Sequence, residues 1–100
     1  MKEQIQKWNQ LDRMIHEPAR LAILTILYTA GEADFVYLQR EGGFTQGNLS
    51  GHLLKLEAAG YVQIQKTFKG KLPLTLCRLT SKGEQALENY SKQMLAFLPS

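Results

Sequence analysis

The hydrophobic period of this chain changes at Gly60, and that change constrains its fold more than any other feature. Before it, Leu49, Leu53 and Leu56 recur at helical spacing, which predicts one amphipathic helix that follows a Thr45 cap and ends at Gly60. Directly after it, apolar and polar residues alternate with a period of two, which predicts a β-strand. A chain with this order contains both helix and sheet.

Helix caps and chain breakers divide the rest of the sequence into short elements. A turn-forming run at 69–73 and a second alternating run at 74–79 complete a β-hairpin. Pro18 suits a helix start, Asp34 and Thr80 suit helix caps, and Gly31 suits a helix end. The predicted helices lie at 1–13, 18–30, 35–41, 45–60 and 81–98, and the connector at 32–34 has room for a bridge of strand.

Length and composition bound the class of protein. One hundred residues, 44% of them apolar, correspond to one folded domain that spans 1–100. The single cysteine, Cys77, excludes an internal disulfide and argues against a thiolate metal site, so it is predicted to be a small core residue. The N-terminal segment lacks a hydrophobic signal region, and no run reaches membrane-spanning length. We therefore expect a cytoplasmic protein without a membrane partner, a metal or a cofactor.

Charge is distributed unevenly along the chain. Residues 45–78 carry five bases against the single acid Glu57, a net charge of +4, whereas the rest of the chain has seven bases and eight acids. The five bases include Lys66, Lys69 and Lys71, which surround the predicted hairpin turn. A local basic excess is the electrostatic footprint of a nucleic-acid binder, and lysines on a hairpin tip can neutralise phosphates or enter a minor groove.

The helix at 45–60 has a polar face that is poor in charge and rich in amide, hydroxyl and glycine groups. Such groups suit close approach to base edges in a DNA major groove, although a merely solvated face is the simpler alternative. Glycine in a helix interior costs roughly 1 kcal/mol relative to alanine. Gly47 and Gly51 are therefore explained by close approach of DNA, by close approach of another backbone, or by simple tolerance. The predicted DNA-binding residues of this helix are Thr45, Gln46, Gly47, Asn48, Ser50, Gly51, His52 and Lys55.

Four segments of the chain resemble a known family. They are Pro18-Ala19-Arg20-Leu21-Ala22-Ile23-Leu24, Asn48-Leu49-Ser50-Gly51-His52-Leu53, Leu56-Glu57-Ala58-Ala59-Gly60-Tyr61-Val62 and Leu79-Thr80-Ser81-Lys82-Gly83. In these segments the chain resembles the small prokaryotic winged helix-turn-helix transcriptional regulators of the winged helix DNA-binding domain type. That group is related to the multiple-antibiotic-resistance-regulator (MarR) and arsenic-repressor (ArsR) groups, and the resemblance covers roughly residues 12–90.

The resemblance implies a fold and a function. The fold is α+β and mostly helical: a winged helix-turn-helix with a two-stranded β-hairpin wing and additional N- and C-terminal helices. The function is that of a sequence-specific DNA-binding regulator, a homodimeric repressor whose helix 46–59 reads the major groove of double-stranded DNA. Its wing, 66–73, would contact the backbone or the minor groove. Arg20 would lie near the DNA backbone or support the motif internally, and the resemblance does not decide between the two.

The terminal segments carry more apolar side chains than a three-helix core of this size needs. They either pack over their own domain or pair two copies of the chain, and we favour the second reading. A two-fold dimer would place two reading helices about one DNA turn apart, ~34 Å. The predicted interface residues are Ile5, Trp8, Leu11, Leu87, Tyr90, Met94, Leu95 and Leu98.

Catalysis and metal sensing find little support in the sequence. Ser50 and His52 are two apart on a helix and point in different directions, so they cannot form a nucleophile–base pair, and an enzyme is not expected. His16, His52 and Cys77 fall on different elements and form no metal-ligand motif. The main alternative is a winged-helix module that binds protein instead of specific DNA. The sequence identifies neither an effector ligand nor an operator.

Overall fold

Four helices and three strands follow one another in the computed structural model, which describes residues 10–99. The helices are α1 (Pro18–Ala30), α2 (Phe35–Gly42), α3 (Gln46–Ala58) and α4 (Ser81–Phe97), and the strands are β1 (Glu32–Asp34), β2 (Val62–Lys69) and β3 (Leu72–Leu79). Residues 1–9 of the helix predicted at 1–13 lie outside the described residues. Its last part, 10–13, forms turns and bends, so the helix does not extend to Arg13 as predicted.

Each described helix begins at a side chain that accepts hydrogen bonds from its first turn. Asp34, Thr45 and Thr80 cap α2, α3 and α4, and this confirms the capping predictions. The cap of α1 was missed: the Glu17 carboxylate accepts hydrogen bonds from the backbone N–H of Ala19 at 2.8 Å and of Arg20 at 2.9 Å. Such caps satisfy donors that have no partner within the helix.

The sheet is antiparallel and has the strand order β1–β3–β2. The predicted hairpin is confirmed. The short strand β1 adds a third strand to it, and Ala33 of β1 pairs with Cys77 of β3. The hairpin is longer than predicted: the turn assigned to 69–73 is only Gly70-Lys71, and Pro73 lies inside β3 opposite Phe68. Gly70 has a φ of +64°, which suits the first position of a tight two-residue turn.

The core lies between α1, α3 and the base of the sheet. The apolar stripe of α3, Leu49, Leu53 and Leu56, is buried against residues of α1 and α2. Cys77 is fully buried in the same cluster, so its predicted core role is confirmed. Burial raises the pKa of its thiol to about 11, and the nearby charge of Asp34 contributes to the shift.

Part of the predicted dimer surface also belongs to this core. Leu11, Leu87 and Tyr90 are largely buried among residues of their own chain, although Leu87 and Tyr90 also line the groove between α1 and α4. Apolar spacing marked the correct face of these segments but not the partner that covers it. Met94 is half-buried, Leu95 and Leu98 are exposed, and Ile5 and Trp8 lie outside the described residues.

The base of the wing is fastened to α4 through backbone contacts. The backbone N–H of Thr80 donates to the Tyr61 carbonyl at 3.0 Å, and the Thr80 hydroxyl donates to the Gly60 carbonyl at 2.6 Å. A Cβ at Gly83 would overlap the same Tyr61 carbonyl oxygen. The position therefore requires glycine, and α3, the wing and α4 share one rigid junction.

Candidate nucleic-acid interface

The turn between α2 and α3 is fixed by two adjacent glycines. A Cβ at Gly42 would overlap the ring of Phe44, which packs against the core, and Gly43 adopts a left-handed conformation with a φ of +67°. Gly42 is favoured here for lack of space and Gly43 for its left-handed backbone conformation. This turn holds α3 across α2 with its apolar stripe inward and its polar side outward.

The outward face of α3 is formed by exposed residues at helical spacing. These residues are Gly47, Ser50, Gly51, Leu54, Lys55 and Ala58. A Cβ at Gly47 or Gly51 would have no atom within 4 Å, and neither residue has a positive φ. No backbone of the described residues therefore accounts for the two glycines, which leaves room at both positions for close approach by another molecule.

The predicted readers at the start of α3 are placed differently from one another. Gln46 and Asn48 are exposed in the first turn, with their amide groups free of hydrogen bonds to other described residues. The Thr45 hydroxyl accepts a hydrogen bond from the backbone N–H of Asn48 at 3.2 Å and is therefore engaged in capping. Lys55 is exposed near the end of the helix, beyond the two glycines.

His52 lies in the seam between α3 and the start of α1, apart from the outward face. Its Nδ1 atom is 3.3 Å from an Arg20 guanidinium nitrogen and 3.6 Å from a Glu17 carboxylate oxygen. The predicted DNA residue is thus partly committed to contacts within its own chain. Sequence spacing could not show this, because Glu17 and Arg20 are more than thirty residues away in the chain.

Arg20 supports the motif internally. Its Nε atom donates to the Met14 carbonyl at 2.7 Å, a terminal nitrogen lies 3.7 Å from the Glu17 carboxylate, and its side chain is only 12% exposed. Together with the His52 contact, these bonds tie the segment before α1 to the middle of α3. These contacts support the internal role that the resemblance offered for Arg20.

Glu17 completes this cluster and is its only acid within residues 10–99. Partial burial raises the pKa of its carboxyl group, but the backbone hydrogen bonds from Arg20 and Ala19 and the charges of His52 and Arg20 outweigh that effect. The net result is a pKa below the ordinary value, so the carboxylate stays ionised at neutral pH. An ionised Glu17 both caps α1 and balances the Arg20 charge.

Leu54 is the functional candidate that sequence reasoning missed. Its side chain is 61% exposed, although it is a large apolar residue on a helix whose other leucines are buried. Its position, seven residues after Gly47 and three after Gly51, places it on the outward face. That spacing is the signal in the sequence that could have identified it.

The wing carries its charges at the end remote from the core. Lys66, Lys69 and Lys71 are all exposed, as predicted for a basic hairpin tip, and we call them the wing lysines. Residues 66–73, the wing tip, contain no acid. Two large apolar residues, Phe68 and Leu72, are also exposed there.

A groove of about 580 Å³ lies between α1 and α4. Its lining is mostly apolar and includes Leu21, Tyr28, Leu87, Met94 and Leu95. The Tyr28 hydroxyl donates to the Glu88 carboxylate at 3.3 Å along one side. The groove is on the α1–α4 side of the domain and continues onto the exposed apolar end of α4.

The described residues contain no group of three or more His, Cys, Asp or Glu side chains that could hold a metal ion. Within the same part of the chain, no helix combines the length and the apolar character that crossing a bilayer requires.

Comparison with known proteins identifies the family. The model of the winged helix DNA-binding domain matches residues 19–98. The chain belongs to this family. The protein MJ0432 of Methanocaldococcus jannaschii is 36% identical over 84 residues, which cover 83% of this chain and 90% of that protein. The HTH-type transcriptional regulator YdgJ of Bacillus subtilis is 31% identical over 80 residues, 80% of this chain but only 48% of YdgJ, so the chain spans about half of that regulator.

Solved structures agree with this assignment. The transcriptional regulator homologue from Pyrococcus horikoshii superposes with a TM-score of 0.85 at 25% identity, over 91% of this chain and 92% of that one. MarR-family regulators are also among the solved structures that share the fold. The predicted resemblance and the winged-helix fold are thus confirmed. The family and fold are those of transcriptional regulators, which are not enzymes.

Proposed function

We propose that this protein is a homodimeric, sequence-specific DNA-binding repressor that inserts α3 into the major groove. The observation that carries the proposal is the outward face of α3. Its two glycines serve no packing purpose among residues 10–99, although each costs helix stability. A face that is smooth, nearly uncharged and flanked by exposed amides fits the edges of base pairs.

Base readout is assigned to three exposed side chains of α3. Gln46 and Asn48 lie in its first turn, the part of a reading helix that faces base edges in this motif, and both can pair bidentately with adenine. Leu54 lies farther along the outward face and suits contact with a thymine methyl group. Lys55 and the hydroxyl of Ser50 are assigned to the flanking backbone or to hydrogen bonds with base edges.

The wing lysines are assigned to the DNA backbone. They lie on a hairpin whose base is fastened beside the end of α3, so the two surfaces are held in a fixed relation. Each lysine that neutralises a phosphate releases counterions, which gives affinity without base preference.

The dimer is assigned to the α1–α4 side of the domain. The groove there and the exposed Leu95 and Leu98 on α4 offer an apolar surface that a second copy would cover. A two-fold axis at this surface would give two copies of α3 the half-site spacing of about one helical turn, ~34 Å. Occupation of a promoter by such a dimer would exclude polymerase and repress transcription.

The experiment that tests this function is selection of bound duplexes from a random pool. We expect recovery of an inverted repeat, which would support base readout and two-fold symmetry together. The matched control is the double variant Leu95→Glu/Leu98→Glu, which should sediment as a monomer and enrich a single half-site. A pool that shows no enrichment above its input would contradict DNA recognition and would favour the protein-binding alternative.

A further inference from the structure

Apolar side chains project from the wing tip among its lysines. Phe68 is 69% exposed and Leu72 is 72% exposed. Strand alternation places Phe68 on the same face as Pro73, its cross-strand partner, whereas Leu72 lies opposite Lys69 on the other face. The tip is therefore a thin apolar blade with basic residues on both sides.

The domain core does not explain this blade. Ile64 is the last residue of β2 that packs against the core, and Phe68 lies four residues beyond it, about 13 Å along the strand at ~3.3 Å per residue. The ring of Phe68 consequently stands clear of the domain. A solvated turn needs neither an exposed phenylalanine nor an exposed leucine at its end.

Charge complementarity identifies the partner of the blade as a polyanion. The wing lysines surround the apolar side chains, and no acid lies within residues 66–73. DNA offers phosphates at the rims of its minor groove and an apolar interior of stacked bases and sugars between them. Proteins that insert an apolar side chain from the minor groove unstack a base step and bend the duplex.

We propose that Phe68 is a minor-groove wedge that bends the operator while the wing lysines hold the phosphates on either side. Pro73 backs the ring from the neighbouring strand, and Leu72 covers the sugars of the opposite groove wall. This inference rests on the proposed DNA-binding function and adds to it a bend centred at each wing. Base steps that unstack easily, such as TA, would be favoured there without a hydrogen bond to any base.

The test measures affinity and bending separately. The duplex recovered by selection is labelled at both ends, and its end-to-end distance is followed by fluorescence resonance energy transfer during titration with each variant. Phe68→Ala should lose roughly tenfold or more in affinity and most of the bend, with the slope of log K against log salt unchanged. Phe68→Leu keeps an apolar wedge and should retain most of the bend.

Lys69→Ala is the contrasting variant. It should reduce the salt slope by about 0.9, the value of one phosphate contact, and leave the bend in place. Thermal melts of all variants check that the hairpin is intact, since a melting temperature equal to that of the wild type assigns any loss to the contact itself.

The possible failures are distinguishable. If the wild type binds no duplex, the proposed function fails and the wedge fails with it. If the wild type binds but Phe68→Ala binds and bends the duplex equally well, the wedge alone is overturned. If Phe68→Ala abolishes binding to anionic phospholipid vesicles but leaves the DNA complex unchanged, the blade serves a membrane surface and the wedge is likewise overturned.

Discussion

The outward face of α3 and the wing tip are both exposed, yet they are built from opposite chemistry. The outward face of α3 consists mainly of small residues together with Leu54 and Lys55, whereas the wing tip combines three lysines with two large apolar side chains. A nearly neutral face gains little from the phosphate field and must act through directed contacts. A lysine-rich tip gains affinity from any duplex.

The two surfaces also differ in how they are supported. Three leucines of α3 are fully or nearly fully buried, and the Arg20 cluster contacts the helix at His52. The orientation of α3 is therefore fixed by the core. Among the described residues, no apolar side chain of β2 beyond Ile64 packs against the core, and local stability is lowest where buried contacts are few. We therefore expect α3 to be a rigid base-reading helix and the wing tip to adapt to the DNA backbone.

The largest effect is expected at Gly83, in the junction that joins α3, the wing and α4. Gly83→Ala would force a Cβ into the Tyr61 carbonyl oxygen, and we expect a loss of about 3 kcal/mol in the free energy of unfolding. The melting temperature should fall by more than about 10 °C. Gly47→Ala is the matched control and should not destabilise the protein, because its Cβ meets nothing. Equal melting temperatures for the two variants would mean that the junction is not rigid.

The second largest effect concerns the wing alone. Lys69→Ala/Lys71→Ala should weaken binding to specific and generic duplexes alike, by roughly tenfold at low salt, and should lower the salt slope by about two. Gel shifts over a salt series measure both quantities. If affinity fell only for the selected duplex, the wing lysines would be reading sequence. That result would contradict their assignment to the DNA backbone.

An effect of comparable size, confined to single base pairs, is expected at the start of α3. Asn48→Ala should reduce discrimination at one base pair by about 1–3 kcal/mol and leave binding to generic duplex unchanged. Gln46→Ala should act in the same way at a neighbouring position. Competition with single-base variants of the selected duplex measures the change, and a uniform loss on every duplex would reduce these residues to positioning groups.

The smallest effect is expected in the support behind α3. The folded-state pKa of Glu17 lies below its ordinary value of 4.5, so its ionised form stabilises the fold above that pH. This contribution, about 1 kcal/mol for a helix cap, is lost as the pH falls through the lower folded-state value. Chemical denaturation of the wild type and of Glu17→Gln, from about pH 3 to about pH 7, should show a difference in the free energy of unfolding that shrinks in acid. A difference independent of pH would show that ionisation of Glu17 is unimportant.

Most parts of this structure that depend on neighbouring residues were predictable from the sequence, although the Glu17 cap of α1 was missed. Asp34, Thr45 and Thr80 cap helices because a side chain needs to reach only three residues ahead. The stripe of α3 follows from local periodicity, and the core role of Cys77 follows from its being a lone cysteine without a disulfide or metal partner.

The parts that depend on residues distant in the sequence could not be predicted. The Arg20–His52 contact joins positions 32 apart, and β1 pairs with a strand more than forty residues later. Apolar spacing could not tell whether Leu87 and Tyr90 face their own core or a second copy, since both are equally apolar environments. Pro73 was assigned to a turn because proline usually interrupts strands, but an edge of a long hairpin accommodates it.

The central claim, that the outward face of α3 lies directly against DNA, is tested best at Gly51. Gly51→Ala adds one methyl group into open space, so the free protein should gain roughly 0.5–1 kcal/mol in stability. The decisive measurement is the Kd of wild type and variant for the selected duplex by fluorescence anisotropy at one salt concentration. We predict that the more stable variant binds at least about tenfold more weakly, a cost of about 1.4 kcal/mol. A variant that binds as tightly as the wild type would contradict the account.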